Sequence, residues 1–240
     1  MASEAAKNYL GTRNKIHLDI ETIPTQPEEE AKKVIADNIK PPANMSKAET
    51  IQEWHEGKGK YAGAKEALIE EVYRKTALDG AYGEVIAIGF AVDDGQVMSF
   101  SRANFVGEDV MLAAFFLELA KITKSDFFVG HHIRFDLEFL FKRCVILGIN
   151  PGVNLNFQGR HNVHFFCTQE AWAGFKGFIS QDNLCKVLGV EGKTDLDGSK
   201  VYDAYKAGEM DRIEAYVRDD VEKERYNYKR ITFQVRPGDE

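Results

Sequence analysis

The fold is decided by the stretch Lys15-Ile16-His17-Leu18-Asp19-Ile20-Glu21-Thr22, in which apolar and polar side chains alternate. This period of two predicts a β-strand with its apolar face on a core. The apolar face is Ile16, Leu18 and Ile20, and the other face is His17, Asp19 and Glu21. Pro24 ends the strand, because proline cannot continue a hydrogen-bonded ladder. Asp19 and Glu21 are two residues apart, so both carboxylates project from the same face.

The surrounding sequence predicts an α/β domain around this strand. A near-continuous apolar run over 84–92 predicts a buried strand, and a turn at 93–95 leads to a returning strand over 97–101. Further strands are predicted over 127–129 and 163–167, and helices over 109–121, 136–147, 180–188, 199–207 and 209–230. A hairpin followed by alternating helices and strands predicts a mixed five-stranded sheet flanked by helices.

Residues 25–80 differ in composition, being rich in Glu, Lys and Ala. They predict three short helices near 28–38, 46–55 and 62–77, which form a helical insertion after the first strand. Two interpretations stay open for this insertion: a flap over a substrate strand, or a helical layer that covers the sheet. We expect one domain over 15–231, with an N-terminal tail at 1–14 and a C-terminal tail at 232–240.

Composition limits the function classes. The chain has 31 Lys+Arg and 38 Asp+Glu, a net charge of −7, which argues against a broad basic surface that coats nucleic acid. It does not exclude an enzyme whose acidic residues hold metal ions. No apolar run is long enough to span a membrane, and the first residues do not resemble a secretion signal. Three cysteines without metal-site spacing favour a reducing, cytoplasmic location.

Two further acidic residues, besides Asp19 and Glu21, stand where they could hold a metal ion. Asp136 stands at the start of a predicted helix, and Asp220 follows Tyr216 by four residues, on the same helix face. Each feature alone also fits an ordinary solvated carboxylate. Together with Asp19 and Glu21 they supply oxygen ligands of the kind that Mg²⁺ or Mn²⁺ prefers. Two such ions can clamp the attacking and leaving oxygens in phosphodiester hydrolysis.

Three segments in chain order resemble the motifs of the DEDD superfamily of 3′–5′ exonucleases, in its tyrosine subclass. They are Leu18-Asp19-Ile20-Glu21-Thr22, Val129-Gly130-His131-His132-Ile133-Arg134-Phe135-Asp136 and Tyr216-Val217-Arg218-Asp219-Asp220-Val221-Glu222. Residues 193–198 and 201–208 are similar to stand-alone exonucleases related to the proofreading domain of family B DNA polymerases. The resemblance covers 15–24 and 84–231, and it implies an RNase H-like fold.

The resemblance also implies catalytic roles. Asp19, Glu21 and Asp220 would hold the metal ion that activates water. Asp19 would bridge to a second metal ion, with Asp136 helping through an ordered water. Tyr216 would orient the attacking water.

The resemblance further implies that the backbone at Ile20 and the carboxylate of Glu21 contact the terminal 3′ nucleotide of the substrate. His132 stands where the family usually has Asn, and could contact substrate or pack. Among basic residues, Arg134 and Lys193 are favoured for phosphate contact, and Phe135 is the aromatic residue favoured for stacking on a base.

Other residues near the motifs are expected to be structural. His17 shares the strand face of Asp19 and could lie near the metals, but it is interpreted as structural, as is His131. Core packing is favoured for Phe127, Phe128, Phe139 and Phe141. The helix over 136–147 is expected to bury Leu137, Leu140, Phe141 and Val145.

We therefore expect a two-metal-ion 3′–5′ exonuclease that releases nucleoside monophosphates from single-stranded DNA 3′ ends, using Mg²⁺ or Mn²⁺. The expected partner is nucleic acid, DNA before RNA, with a polymerase or another replication protein nearby and no membrane. Two alternatives stay open: a 3′–5′ exoribonuclease, and a catalytically silent nucleic-acid-binding module that assists a polymerase. Metal-dependent cleavage distinguishes an enzyme from the silent module.

Overall fold

The computed structural model describes residues 13–159, 163–190 and 196–237. The chain divides into two compact units, Met1–Glu21 with Val85–Glu240, and Thr22–Glu84. The strands are β1 (Ile16–Ile23), β2 (Glu84–Val92), β3 (Met98–Ser101), β4 (Phe128–Gly130) and β5 (Phe165–Cys167). The helices are α1 (Glu28–Asn38), α2 (Ala48–His55), α3 (Ala64–Lys75), α4 (Glu108–Ile122), α5 (Ile133–Leu147), α6 (Thr168–Ala173), α7 (Gln181–Leu188), α8 (Val201–Lys206) and α9 (Met210–Ile231).

The five strands form one mixed sheet in the order β3-β2-β1-β4-β5, which confirms the expected fold class. Strands β2 and β3 are an antiparallel hairpin, whereas β1, β4 and β5 run parallel. In the parallel part, His17 is paired with Val129, and Gly130 with Cys167. The carboxyl ends of these three strands therefore meet at one edge of the sheet, where α/β folds place ligands.

The main core lies between the apolar face of β1 and helices α4 and α5. Ile16, Leu18 and Ile20 are buried against residues of these helices, including Leu112, Phe115, Leu137 and Leu140. The polar face of β1 carries His17, which is hydrogen bonded to Glu224 of α9. Helices therefore cover both faces of the sheet.

Glycine lets α9 approach the sheet closely. A Cβ atom at Gly89 of β2 would lie 2.7 Å from the carbonyl oxygen of Val217 on α9. This is closer than real Cβ atoms come to backbone oxygens, so a larger residue would displace the helix. Gly130 at the end of β4 instead leaves room for the neighbouring strand β1, because a Cβ there would lie 2.9 Å from the carbonyl oxygen of Leu18.

Helix α5 buries Leu137 and Leu140 as expected, but the rest of its buried face differs from the prediction. It begins at Ile133, before the predicted start, and Phe141 and Val145 are exposed. The buried row is instead Ile133, Leu137, Leu140 and Cys144, spaced by four, three and four residues as on one helix face. Val145 lies about 100° further round the helix than Cys144 and so faces solvent.

In the unit Thr22–Glu84 the three predicted helices are present as α1, α2 and α3. Lys32 of α1 forms ion pairs at 2.5 Å with Glu28 of its own helix and Glu70 of α3. Trp54 of α2 and Tyr73 of α3 are buried.

Several predicted features fall outside the described residues, including Lys193 with its neighbours 194–195, residues 1–12 of the N-terminal tail and 238–240 of the C-terminal tail. Within the described part of the chain, no helix is both long enough and apolar enough to cross a membrane. Cys144, Cys167 and Cys185 are free and buried.

Candidate active site

Strand β1 and helix α9 bring three of the predicted carboxylates together. One oxygen from each of Asp19, Glu21 and Asp220 lies within 4.8 Å of the others. Glu21 and Asp220 are buried, whereas Asp19 is partly exposed. The strand period places Asp19 and Glu21 on one face, and α9 reaches that face because Gly89 allows its close approach. We call Asp19, Glu21 and Asp220 the carboxylate cluster.

Asp136 is close to this cluster, but one of its carboxylate oxygens is hydrogen bonded to the backbone of β1. It lies in the first turn of α5, is buried, and accepts a hydrogen bond at 3.2 Å from the backbone N–H of Ile20. Asp136 thus fixes the segment of β1 between Asp19 and Glu21. The N–H of Ile20, an expected substrate donor, therefore donates its hydrogen bond to Asp136.

Electrostatics make the carboxylates unfavourable as bare anions. Burial, followed by the charges of Asp136, Glu21 and Asp220, raises the pKa of Asp19 well above its ordinary value. Burial raises the pKa of Asp136 to about 8, against two backbone hydrogen bonds that lower it. A nearby cation would relieve both the desolvation and the mutual repulsion. The all-oxygen donor set of the cluster fits a hard divalent ion such as Mg²⁺ or Mn²⁺.

Tyr216 lies one helical turn before Asp220 on α9, and its buried hydroxyl is hydrogen bonded to the Asp220 carboxylate. Burial and the charges of Asp220, Glu21 and Asp19 raise the pKa of Tyr216 far above its ordinary value. The phenol therefore keeps its proton. It can donate a hydrogen bond at the cluster, but it cannot act there as a base.

Glu224 is a fourth acidic side chain on this face, and the sequence analysis missed it. It lies one turn after Asp220 and is 1% exposed, and its Oε2 is 2.7 Å from Nδ1 of His17. Within the described ranges, its Oε1 has no hydrogen-bond partner. The charge of Glu224 raises the pKa of both Asp19 and Asp136.

The pair of His17 and Glu224 joins the two elements that carry the cluster. His17 stands two residues before Asp19, and Glu224 stands four residues after Asp220. The structural interpretation of His17 is confirmed by this buried contact. The sequence signal for Glu224 was its i+4 spacing from Asp220, which places both on one helix face.

The histidines of the second motif have different roles in the fold. Nε2 of His131 is 2.9 Å from the carbonyl oxygen of Ile179, and Nδ1 is 3.0 Å from the hydroxyl of Thr168, which confirms that His131 is structural. His132 precedes α5 in the left-handed conformation, with φ 63°. Asn and His are among the residues that tolerate this region best, which accounts for His at a position where Asn is usual.

His132 also lies beside Phe135, with the rings stacked at 6.2 Å between centroids. Partial burial lowers the pKa of His132, against the attraction of the nearby Glu170 carboxylate. The lowered pKa favours the neutral form of the His132 imidazole. Phe135 itself is partly buried against the main core.

Arg134 is held by several groups of the protein. Its guanidinium donates to both oxygens of Glu170, at 2.6 and 3.2 Å, and to the carbonyl of Phe157 at 2.8 Å. It also lies over the ring of Phe165, 4.6 Å from the centroid. These contacts connect α5 to β5 and α6. Of the other aromatic residues, Phe127, Phe128 and Phe139 are buried as expected.

Comparisons with known proteins identify a family and a fold. The profile of a family described as "Predicted 3'-5' exonuclease related to the exonuclease domain of PolB" matches residues 76–233. That segment contains Asp136, Tyr216 and Asp220, whereas Asp19 and Glu21 precede it.

Among solved structures, the chain is similar to the family B DNA polymerase from the hyperthermophilic archaeon Pyrobaculum calidifontis, with a TM-score of 0.52 and 15% sequence identity. The match covers 90% of this chain and 24% of the polymerase chain, so this chain spans about a quarter of that protein. At this identity the similarity concerns the fold alone. Among curated proteins, no match is found.

Proposed function

This chain belongs to the family of predicted 3′–5′ exonucleases related to the exonuclease domain of PolB, and from that membership we propose a metal-dependent exonuclease that shortens single-stranded DNA from its 3′ end. The observation that carries the proposal is the carboxylate cluster, in which oxygens of Asp19, Glu21 and Asp220 lie within 4.8 Å of one another. The buried Tyr216 hydroxyl beside it supports the same chemistry.

The residues that would hold divalent ions are those of the carboxylate cluster, with Asp136 beside it. Two bound ions, Mg²⁺ or Mn²⁺, would supply the positive charge that activates the attacking water and stabilises the leaving oxygen. Asp19 is the member of the cluster whose pKa is raised by the charges of Glu21 and Asp220 and also by that of Asp136. This position suits the carboxylate that would serve both ions.

The protein groups orient the reactants. Tyr216 keeps its proton, which it donates to Asp220, so its hydroxyl oxygen would orient the attacking water by accepting a hydrogen bond from it. Asp136 holds the β1 backbone through the Ile20 N–H, so that Asp19 and Glu21 keep their positions while substrate enters. The oxygen of water forms a bond to the terminal phosphorus, and the bond from phosphorus to the 3′ oxygen breaks. The products are a nucleoside 5′-monophosphate and a shortened strand with a 3′ hydroxyl.

Single-stranded DNA is the proposed substrate, because the family is related to a DNA polymerase exonuclease domain. RNA is the alternative that the experiment tests, since the same chemistry cleaves either backbone. A cytoplasmic site of action and a polymerase or other replication protein as partner belong to the same proposal.

The experiment incubates 5′-labelled DNA and RNA single strands of one sequence with the protein in Mn²⁺, Mg²⁺ or EDTA. We expect a DNA ladder that shortens from the 3′ end and requires the metal ion. Asp19→Ala should abolish it, because the variant lacks a carboxylate of the cluster. Cleavage of RNA alone would show that the protein is an exoribonuclease. Intact strands of both kinds under every condition would refute the proposal of a catalytic function.

A further inference from the structure

A segment with three exposed aromatic side chains follows β5. Trp172 is 45% exposed, Phe175 is 42% exposed and Phe178 is 81% exposed. We call residues 172–178, which are the last two residues of α6 and the loop after it, the aromatic loop. Exposed aromatic surface costs free energy in water, so three exposed aromatic side chains in one short segment make that segment a candidate binding surface. None of these three residues was singled out by the sequence motifs.

The sheet places the aromatic loop at the edge that carries the carboxylates. Strands β1, β4 and β5 are parallel, and their register pairs His17 with Val129 and Gly130 with Cys167. Asp19 therefore follows the paired part of β1, and α6 with the aromatic loop follows β5 at the same edge. Neighbouring strands lie about 4.8 Å apart, so β5 is roughly 10 Å from β1. That separation is within the length of a few nucleotides.

The loop backbone is fastened to the second motif, although its rings are exposed. The carbonyl oxygen of Ile179, directly after the loop, is 2.9 Å from Nε2 of His131. Gln169 of α6 donates a hydrogen bond at 3.1 Å to the carbonyl of Gly177. These contacts hold the loop in place before any ligand arrives, which lowers the entropy cost of binding.

Positive charge accompanies the exposed rings. Lys176 supplies this charge, with its ammonium group 5.9 Å from the centroid of the Phe175 ring. The guanidinium of Arg134 lies 5.6 Å from the same ring, but it is paired with the carboxylate of Glu170. Single-stranded nucleic acid is bound by this combination, in which bases stack on aromatic rings and cations face the phosphates. A purely apolar protein partner would not need the cations.

We propose that the aromatic loop is a stacking platform for unpaired bases of the DNA strand whose 3′ end lies at the carboxylate cluster. The inference rests on the proposed exonuclease function and adds how the strand is bound upstream of the cut. Because every base has a π-face, stacking of this kind tolerates any sequence, as an exonuclease requires. It also favours frayed ends over duplex, since paired bases are stacked on one another.

The test measures binding without cleavage, in EDTA, by the fluorescence anisotropy of a 5′-labelled oligothymidylate. Stacking on one aromatic residue contributes about 1–3 kcal/mol, so Phe178→Ala should weaken binding about 5- to 150-fold. The matched control is Phe233→Ala, because Phe233 is also a strongly exposed phenylalanine, at 93%, but lies after the end of α9. The control should bind like the wild type.

A second readout reports contact directly. The chain has two tryptophans, of which Trp54 is 1% exposed, so oligonucleotide that stacks on Trp172 should quench the intrinsic fluorescence. Trp172→Phe should remove that quenching while it retains binding. In cleavage assays, Phe178→Ala should raise KM by a similar factor and leave kcat at saturating DNA nearly unchanged.

The outcomes separate the two proposals. If the wild type cleaves DNA but Phe178→Ala binds as tightly as Phe233→Ala, the platform is wrong and the exonuclease proposal stands. The same conclusion follows if DNA binds without quenching Trp172. If the wild type neither binds nor cleaves single strands, both proposals fail.

Discussion

Replacing Asp136 by asparagine should stabilise the metal-free protein at neutral pH. Asp136 is buried beside the carboxylate cluster, and its pKa rises from 3.8 to about 8 on folding. The amide oxygen of the substituted side chain can still accept the hydrogen bond that the Ile20 N–H donates to Asp136. The Asp136→Asn variant therefore removes a poorly solvated acid while it keeps the contact between α5 and β1.

The sign and size follow from proton linkage. Between about pH 4 and pH 8 the unfolded chain has lost this proton and the folded chain still holds it, so the stability of the wild type falls as pH rises. One pKa unit corresponds to about 1.4 kcal/mol, so at pH 7 the cost is about 4 kcal/mol. Below about pH 4 both states are protonated and the cost disappears. Asp136→Asn should gain up to this amount at pH 7 and little at pH 4.

Thermal unfolding followed by circular dichroism in EDTA measures the difference. For a chain of this length, 1 kcal/mol shifts Tm by about 2–4 °C, so Asp136→Asn should melt about 8–16 °C higher at pH 7. Glu138→Gln is the control, because Glu138 is on the same helix but forms a partly exposed ion pair with Lys142. It should change Tm by only a degree or two. Equal Tm values for Asp136→Asn and wild type at pH 7, or a gain equally large at pH 4, would refute the reasoning.

Three further predictions concern the same site. Tyr216→Phe should lower kcat in a cleavage assay, while Mn²⁺ should raise the Tm of the variant as much as that of the wild type. An unchanged kcat would show that the phenol only packs in the core. Glu224→Gln should weaken Mn²⁺ binding in calorimetry, because it removes a buried charge beside the cluster, whereas the exposed Glu222→Gln should not; equal affinities would make Glu224 purely structural. Gly89→Ala should lower stability by about 1–3 kcal/mol, because its Cβ would lie 2.7 Å from the carbonyl oxygen of Val217. An undisturbed Tm would show that α9 can move away without cost.

The sheet and the acidic residues were predictable because they depend on local pattern. Alternation over 15–22 predicts β1, and its buried and polar faces follow from the period of two. The spacing of Tyr216 and Asp220 predicts one helix face, and the structure places both beside Asp19 and Glu21. The geometry of one strand or one helix sets which residues share a face, whereas the meeting of the two pairs was implied only by the resemblance to the exonuclease family.

The face that a helix buries was less predictable when apolar residues surround it. On α5 the expected Phe141 and Val145 are exposed, because the buried face follows from where the helix begins and how it lies on the sheet. The short helix α6 and the aromatic loop after it escaped detection, since six helical residues give too little periodicity. Phe175 and Phe178 carry no motif that would distinguish them from core aromatics.

Contacts between distant segments lay beyond sequence reasoning. The hydrogen bond from the Ile20 N–H to Asp136 joins residues 116 positions apart, and the pair of His17 and Glu224 joins residues 207 positions apart. Only the packing of β1 against both α5 and α9 creates them. The first contact explains how Asp136 supports β1 although it is not a member of the carboxylate cluster. The second explains why the carboxylate of Glu224 lies beside the cluster.

The most direct test of the central claim follows the terminal nucleotide itself. A single-stranded DNA that carries its only radioactive phosphate between the last two nucleotides is mixed with excess protein, and Mn²⁺ starts a single turnover. The account predicts that the label appears first as a nucleoside monophosphate, and that Asp19→Ala releases none. Label that stays in the strand, or that first appears in longer fragments, would contradict hydrolysis from the 3′ end at the carboxylate cluster.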